Sequence, residues 1–145
     1  MDLESRLNLK VDAREVAYYL LEHDGAVKRD SAEDGTYWLI LTPVSAPTET
    51  YYVRVGWQSY PHQPPSVKFA DRVCGSLQLT SSWPVIPGYR PTSFDICQPF
   101  TAEGYNLHLE WRSGPEAWTV TGNPFLWVVQ TLQNDLDIRY VGRSA

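Results

Sequence analysis

A proline cluster directly after an alternating run constrains this chain more than any other feature. Apolar side chains occupy every second position of residues 51–57, and this period of two predicts a strand with one buried face. The next segment is Tyr60-Pro61-His62-Gln63-Pro64-Pro65-Ser66-Val67-Lys68-Phe69. Because proline fixes φ and removes an amide donor, the segment predicts a rigid turn followed by a second strand with Val67 and Phe69.

Helices are predicted near both ends of the chain. Asp12 and Glu15 have the spacing of a capping box, which predicts a helix near residues 13–23 that ends where Gly25 adopts a left-handed conformation. Its apolar face is formed by Ala13, Val16, Ala17, Leu20 and Leu21. Asn123 and Pro124 are a typical N-cap and first residue, and they predict a second helix that ends near Arg139.

Two further strands are predicted before the alternating run. Residues 26–29 form a short and weak strand pattern, whereas residues 36–41 are an apolar run typical of a buried strand. Short turns between the strands indicate a four-stranded antiparallel meander. From about residue 70 to 122 the periodicity is lost, but the tryptophans in this segment predict that it packs on the core. We therefore expect one α+β domain over residues 1–145, with an N-terminal helix, a meander, a long loop region and a C-terminal helix.

Composition excludes several classes of function. The net charge is -5 and no Lys or Arg run is present, so we expect no nucleic-acid partner. No apolar run approaches the roughly 20 residues of a membrane span, so no membrane association is expected. The acidic N-terminus has no signal-peptide pattern. A cytoplasmic protein with two free thiols, Cys74 and Cys97, is therefore expected.

The sequence predicts neither a metal site nor a bound cofactor. His62, Cys74, Cys97 and His108 are the residues that could ligate zinc, but their spacing fits no zinc motif. No glycine-rich phosphate loop is present, so nucleotide binding is not expected.

The order of these features resembles that of the ubiquitin-conjugating enzymes. The matching residues are Tyr60, Pro61, Pro64, Pro65, Val67, Phe69, Ile96, Cys97 and Trp118. The resemblance implies a fold like that of these enzymes and a transferase that carries a ubiquitin-like modifier as a thioester on Cys97. It also implies three partners, namely the modifier, an activating-enzyme-like protein and a protein substrate whose amine receives the modifier.

The sequence departs from the family pattern around the cysteine. The family has a His-Pro-Asn motif shortly before the cysteine, but Pro87-Gly88-Tyr89 stands here, so the Asn is missing. The loop after the cysteine is also longer than in most members. The pattern Ile-Cys-x-Pro-Phe-Thr-x-x-Gly-Tyr resembles divergent bacterial relatives, some of which are found in operons with an activating-enzyme-like protein and a JAB-type peptidase. This resemblance implies a bacterial conjugation pathway with a role in antiviral defence.

Cys97 is the candidate nucleophile, because a thiol attacks a thioester readily and forms one that still reacts with amines. Cys74 is interpreted as a structural thiol and is the second choice for the nucleophile. Asn106 and His108 are candidates for the oxyanion donor and for proton removal, with solvated or backbone-bonded side chains as the alternative. Asp95 and Glu103 are either surface carboxylates or groups that orient an incoming lysine.

Two other functions remain open from the sequence. The missing Asn is compatible with a ubiquitin-conjugating-enzyme variant that has no activity, and the proline turn also occurs in RWD domains, which have no catalytic cysteine. Both would be binding modules rather than enzymes. In the family the first helix docks the activating enzyme, which implies that role for Arg6, Lys10 and Arg14, or these residues simply form a solvated helix face.

Overall fold

The computed structural model describes all 145 residues and confirms the α+β arrangement. Three helices, eight strands and two short 3-10 turns follow one another along the chain. The helices are α1 (Leu3–Leu21), α2 (Ala102–Leu107) and α3 (Pro124–Ile138), and the 3-10 turns are Thr80–Ser82 and Leu109–Ser113. The strands are β1 (Ala26–Arg29), β2 (Thr36–Leu41), β3 (Tyr51–Gly56), β4 (Ser66–Ala70), β5 (Pro84–Val85), β6 (Tyr89–Arg90), β7 (Asp95–Ile96) and β8 (Gly142–Arg143).

The four long strands form the predicted antiparallel meander, in the order β1-β2-β3-β4. One row across the sheet joins Val27, Leu39, Val53 and Phe69. Buried and partly exposed residues alternate along β3, because successive side chains of a strand point to opposite faces. The inner face of the sheet therefore supplies one wall of the core, and the sequence periodicity identified it correctly.

Helix α1 begins ten residues earlier than predicted. Asp2 is its N-cap, with Oδ1 accepting a hydrogen bond of 2.8 Å from the Ser5 amide. The predicted capping residue, Asp12, instead lies within the helix, where its carboxylate accepts a hydrogen bond from the Tyr60 hydroxyl. The first turns were missed because Leu3 and Leu7 are exposed while Leu9 is buried, so apolar residues lie on both sides of the helix and mask its periodicity.

The end of α1 also differs from the prediction. Asp24, not Gly25, adopts the left-handed conformation, with φ of 57°. Asp is one of the residues that tolerate this region. Gly25 is required for a different reason, since a Cβ at this position would lie 2.6 Å from the carbonyl oxygen of Ile40 in the neighbouring strand β2.

Helix α3 agrees with the prediction. The Asn123 side chain accepts a hydrogen bond of 2.9 Å from the Leu126 amide, and Pro124 is the first helical residue. Five apolar residues of this helix are fully buried and pack in the core with α1 and the sheet; they are Phe125, Val128, Val129, Leu132 and Leu136.

The irregular segment packs on the same core, as its tryptophans predicted. Trp83 is completely buried, and its ring centroid lies 4.9 Å from that of Phe69 on β4. The segment contains the short β6–β7 hairpin, and β5 pairs with β8 near the C-terminus. This half of the molecule is therefore ordered mainly by tertiary contacts.

No helix in the structure combines the length and the apolar character needed to cross a lipid bilayer.

Candidate active site

Cys97 lies at the end of the β6–β7 hairpin, beside strand β4. Tyr89 pairs with Ile96 in this hairpin, and both side chains are buried against the core. The Cys97 amide donates a hydrogen bond of 2.8 Å to the Gly88 carbonyl, which continues the ladder by one pair. Because side chains alternate along a strand, Cys97 follows the buried Ile96 on the opposite face, and it is partly exposed.

The turn opposite the cysteine is formed by Pro87 and Gly88. Gly88 has φ of 86°, and a Cβ there would lie 2.1 Å from the Gln98 Nε2 atom. The Gln98 side-chain amide donates a hydrogen bond of 3.1 Å to the Pro87 carbonyl. Cys97 and its successor are therefore both bonded to the turn that stands where the resemblance placed the missing Asn. Gln98 was not predicted as a site residue, because its only signal in the sequence is its position next to Cys97.

The chain turns into helix α2 directly after the cysteine. The Thr101 hydroxyl donates to the Ile96 carbonyl at 2.7 Å and accepts from the Gly104 amide at 2.9 Å. Gly104 allows close packing, since a Cβ there would lie 2.2 Å from the Gln98 carbonyl oxygen. Thr101 and Gly104 therefore determine the path of the loop that carries the thiol.

Glu103 attaches α2 to the start of strand β4. Its carboxylate accepts hydrogen bonds from the Ser66 hydroxyl at 2.5 Å and from the Val67 amide at 3.1 Å. The Ala102 amide also donates to the Pro65 carbonyl, at 2.8 Å. Glu103 thus connects the loop after the cysteine to the proline turn, whereas the sequence interpretation offered a surface carboxylate or a group that orients lysine.

Asn106 and His108 bond to residues of their own segment. The Asn106 Oδ1 atom accepts a hydrogen bond of 3.0 Å from Arg112, and His108 Nδ1 lies 3.0 Å from a Glu110 carboxylate oxygen. The His108 ring also stacks on Trp111, with centroids 4.2 Å apart. Neither side chain forms a hydrogen bond with the Cys97 thiol, so their catalytic roles stay predictions.

Tyr89 occupies the place of the missing Asn in the sequence, but its hydroxyl bonds to a residue of the core-facing helix α3. It donates a hydrogen bond of 2.7 Å to Asp135 on α3. Burial raises the pKa of the Asp135 carboxyl above its usual value, although the Tyr89 hydrogen bond and nearby Arg139 oppose this shift. The pair anchors the hairpin to α3 on the side away from the thiol.

Cys74 lies in a different environment from Cys97. It is exposed, and its interpretation as a structural thiol stays a prediction. It follows strand β4, has φ of 60°, and its Sγ lies 3.7 Å from an Asp30 carboxylate oxygen. That carboxylate also accepts a hydrogen bond of 2.9 Å from the Trp38 indole, and this bond is the main reason why the pKa of Asp30 is lowered.

A polar groove of about 780 Å³ lies between α2, the proline turn and the end of β3. Asn106, His62 and Trp118 line it, and Cys97 does not. The Trp118 indole donates a hydrogen bond of 2.9 Å to the Pro61 carbonyl, which connects the loop before α3 to the proline turn. No group of three or more His, Cys, Asp or Glu side chains converges on a point where a metal ion could be held.

Comparison with known proteins identifies the fold. No protein-family model matches the sequence, and no curated protein matches it. The structure is similar to the crystal structure of a ubiquitin-conjugating enzyme from Plasmodium falciparum, with a TM-score of 0.51 and 13% sequence identity over 88% of this chain and 96% of that chain. The predicted fold, that of the ubiquitin-conjugating enzymes, is therefore confirmed.

Proposed function

We propose that this protein is a conjugating enzyme that carries a ubiquitin-like modifier as a thioester on Cys97. The observation that supports the proposal most is the position of Cys97 in this fold. The thiol is partly exposed, it follows a two-stranded hairpin beside the sheet, and backbone and side-chain hydrogen bonds hold the surrounding loop. A group that must accept an acyl chain from one protein and present it to another needs this combination of access and fixed geometry.

The proposed reaction has two acyl transfers. The Cys97 thiolate attacks the carbonyl carbon of the thioester on the activating enzyme, and that enzyme's thiolate leaves. An amine of the protein substrate then attacks the new thioester, the bond between carbon and Cys97 sulfur breaks, and the amine loses a proton to solvent or to a nearby base. ATP is used by the activating enzyme, so this chain needs no cofactor of its own.

The outer face of α1 is the proposed docking surface for the activating enzyme, as the family resemblance implies. Exposed apolar residues follow one another at steps of three, four or seven along this face, which places them in one stripe. They are Leu3, Leu7, Val11, Tyr18 and Leu21. Arg14 has the same helical spacing, whereas Arg6 bonds to Asp34 at 3.0 Å. We expect Arg14→Glu to weaken docking more than the same change at Arg6, measured as the rate of thioester formation.

A cytoplasmic location and a role in bacterial antiviral defence are further parts of the proposal. The first rests on the need for a reduced thiol. The second rests on the pattern Ile96-Cys97-Gln98-Pro99-Phe100-Thr101 and its likeness to bacterial relatives.

The proposal is tested by mixing the protein with ATP and with the cognate activating enzyme and modifier. We expect an adduct on a non-reducing gel that disappears with a thiol reductant. Cys97→Ala should abolish the adduct and Cys74→Ala, the matched control, should retain it. An adduct that persists in Cys97→Ala, or its absence from the unaltered protein, would contradict the proposal.

A second candidate function is a binding module that lacks thioester activity. It is favoured by one observation, which is that Tyr89, Asn106 and His108 all direct their hydrogen bonds to groups other than the thiol. Such a module would bind the modifier with equal affinity in the unaltered protein and in Cys97→Ala, without forming an adduct. Calorimetric titration of the modifier into both proteins separates this function from the first.

A further inference from the structure

An arginine and a carboxylate share the exposed face of the hairpin with Cys97. Arg90 pairs with Asp95 across the ladder, and Gly88 faces Cys97 two pairs further along, beyond the Tyr89–Ile96 pair. Alternation along the strands places Arg90, Asp95 and Cys97 on one face, opposite the buried Tyr89 and Ile96. Because Gly88 has no side chain, nothing on the facing strand lies between the thiol and the arginine.

The arginine is held in place by two charge-assisted hydrogen bonds. Its Nε lies 2.7 Å from Asp95 Oδ1 and its Nη2 lies 2.8 Å from Oδ2. A guanidinium has five N–H groups, so this pair leaves three free. The Asp95 hydrogen bond is the main cause that raises the pKa of Arg90, and the Coulomb interaction with Cys97 acts in the same direction. The guanidinium is therefore fixed and still has donors available.

The register of the hairpin places Arg90 close enough to Cys97 for its side chain to reach an acyl group on the thiol. Residues diagonal to each other in an antiparallel pair have Cα atoms about 7–8 Å apart, within reach of a long side chain. A thioester carbonyl on the Cys97 sulfur would extend from the same face. The Arg90 side chain and the thiol thus lie on the same face of the hairpin, the face on which negative charge would appear on the acyl oxygen.

We propose that Arg90 stabilises the negative charge that develops on the acyl oxygen at Cys97, and that Asp95 is the residue that positions it. This inference rests on the proposed function. When an amine attacks the thioester carbon, the carbonyl electron pair moves to oxygen, and the free N–H groups of Arg90 donate to that oxygen. As the carbon–sulfur bond breaks, the electrons return to form the amide carbonyl and the thiolate leaves beside the same positive charge.

Arg90 fits this role better than the other polar side chains of the site. Asn106 and His108 bond within their own segment, and Tyr89 bonds to Asp135 on the far side of the hairpin. The Gln98 amide donates to the Pro87 carbonyl, so it stabilises the turn. Arg90 combines a full charge, a fixed orientation and unused donors on the face that carries the thiol.

The charge at the thiol can be measured without the modifier or the activating enzyme. In a Cys74→Ser background, Cys97 is the only thiol, and its alkylation rates with iodoacetate and iodoacetamide are compared at low ionic strength. Both reagents react with the thiolate, so the ratio of the iodoacetate rate to the iodoacetamide rate does not depend on the thiolate fraction. This ratio reports the electrostatic potential near the thiol, because iodoacetate is an anion and iodoacetamide is neutral. Arg90→Gln should lower this ratio by about threefold, the effect of one unit charge acting through water over several ångströms.

Three comparison variants make this test decisive. Arg90→Lys keeps the charge and should keep most of the ratio, and Asp95→Asn should raise it. Arg72→Gln removes the same charge from another arginine–aspartate pair, Arg72 with Asp71, and should leave the ratio unchanged. Circular dichroism checks that each variant is folded. An unchanged ratio in Arg90→Gln, or an equal fall in Arg72→Gln, would overturn the proposal.

The outcome also separates this inference from the proposed function. If the ratio falls in Arg90→Gln but the unaltered protein forms no adduct, the positive charge of Arg90 does lie near the thiol and the proposed conjugating activity is wrong. If the adduct forms and the ratio is unchanged, the activity stands and the role of Arg90 fails. Where both hold, discharge of the thioester onto free lysine should slow about a hundredfold in Arg90→Gln, with the apparent KM for lysine little changed.

Discussion

The sheet of residues 26–70 and the irregular segment of residues 71–122 are stabilised in different ways. Strands β2 and β3 pair over six consecutive positions, whereas β6 and β7 pair over two. The segment that carries Cys97 is held by side chains that bond to the main chain, such as Thr101 to Ile96 and Gln98 to Pro87. Many weak contacts together stabilise the sheet, whereas a few individual hydrogen bonds determine the geometry around the thiol.

This difference has a consequence for function. A surface loop that must present a thiol cannot be buried, so it cannot obtain its order from a long ladder or from apolar contacts on both sides. Its geometry is therefore sensitive to individual residues that never touch a substrate. We expect substitutions in the irregular segment to change thiol reactivity before they unfold the sheet.

The largest expected effect is at Trp83, which joins the two regions. Trp83→Ala removes a fully buried ring that packs on Phe69 of the sheet, and we expect a loss of about 4 kcal/mol in the free energy of unfolding. Urea unfolding followed by circular dichroism measures it. Trp127→Ala is the control, because the Trp127 side chain is 47% exposed. Equal losses at the two positions would show that Trp83 does not connect the segment to the core.

The next effect concerns the close packing of Gly104 against the backbone after Cys97. Gly104→Ala would place a Cβ 2.2 Å from the Gln98 carbonyl oxygen, and a backbone atom cannot move aside without shifting the loop. We expect a loss of about 3 kcal/mol in urea unfolding and an altered alkylation rate at Cys97. Gly122→Ala is the matched control, because no atom lies within 4 Å of its added Cβ. Its left-handed φ should cost only about 1 kcal/mol.

The sheet was predictable because its signals are local. The alternation in β3 and the apolar run of β2 each identify a strand from a few adjacent residues, and the prolines identify the turn that follows. The start of α1 was not predictable in this way. Its exposed face is apolar, with Leu7 and Val11 outside and Leu9 inside, so hydrophobicity alone does not show which side packs on the core.

The contacts around Cys97 were not predictable from the sequence. Cys97 could be proposed from its neighbours in sequence. The hydrogen-bond partners of Asn106 and His108, however, depend on how 3-10 turns and short helices fold back, and no periodic sequence pattern encodes this path. Arg90 and Gln98 were missed for the same reason. Arg90 faces the thiol only because β6 and β7 pair in one register, and a two-residue strand gives no sequence signal of its own.

A smaller effect is expected for the hydroxyl that caps α2. Thr101→Ala removes the donor to the Ile96 carbonyl and the acceptor for the Gly104 amide. Both groups are buried, so we expect a loss of about 2 kcal/mol, whereas Thr101→Ser should recover most of it. Thr131→Ala removes an exposed hydroxyl bonded within α3 and should be nearly neutral. Chemical denaturation of the three variants tests this order, and a neutral Thr101→Ala would contradict it.

The smallest effect is a dependence on pH that comes from Asp135. Burial raises the pKa of this carboxyl, so the folded protein binds its proton more tightly than the unfolded chain does. Asp135 therefore stabilises the folded protein below its pKa in the unfolded chain, for which 3.8 is the reference. This contribution to the free energy of unfolding is lost as the pH rises through the higher pKa of the folded protein. Asp135→Asn keeps an acceptor for Tyr89 and removes the buried charge.

We therefore expect Asp135→Asn to be more stable than the unaltered protein at neutral pH, with the gain disappearing as the pH falls through the raised pKa of Asp135 to below 3.8. Asp135→Ala removes the acceptor as well and leaves the Tyr89 hydroxyl without a partner, so it should be less stable at every pH. Urea unfolding of the three proteins between pH 3.5 and 7.5 measures both effects. A gain that grows toward acidic pH would mean that Arg139, which lies 3.9 Å from Asp135, outweighs burial, and that the anchor beneath the hairpin is an ion pair.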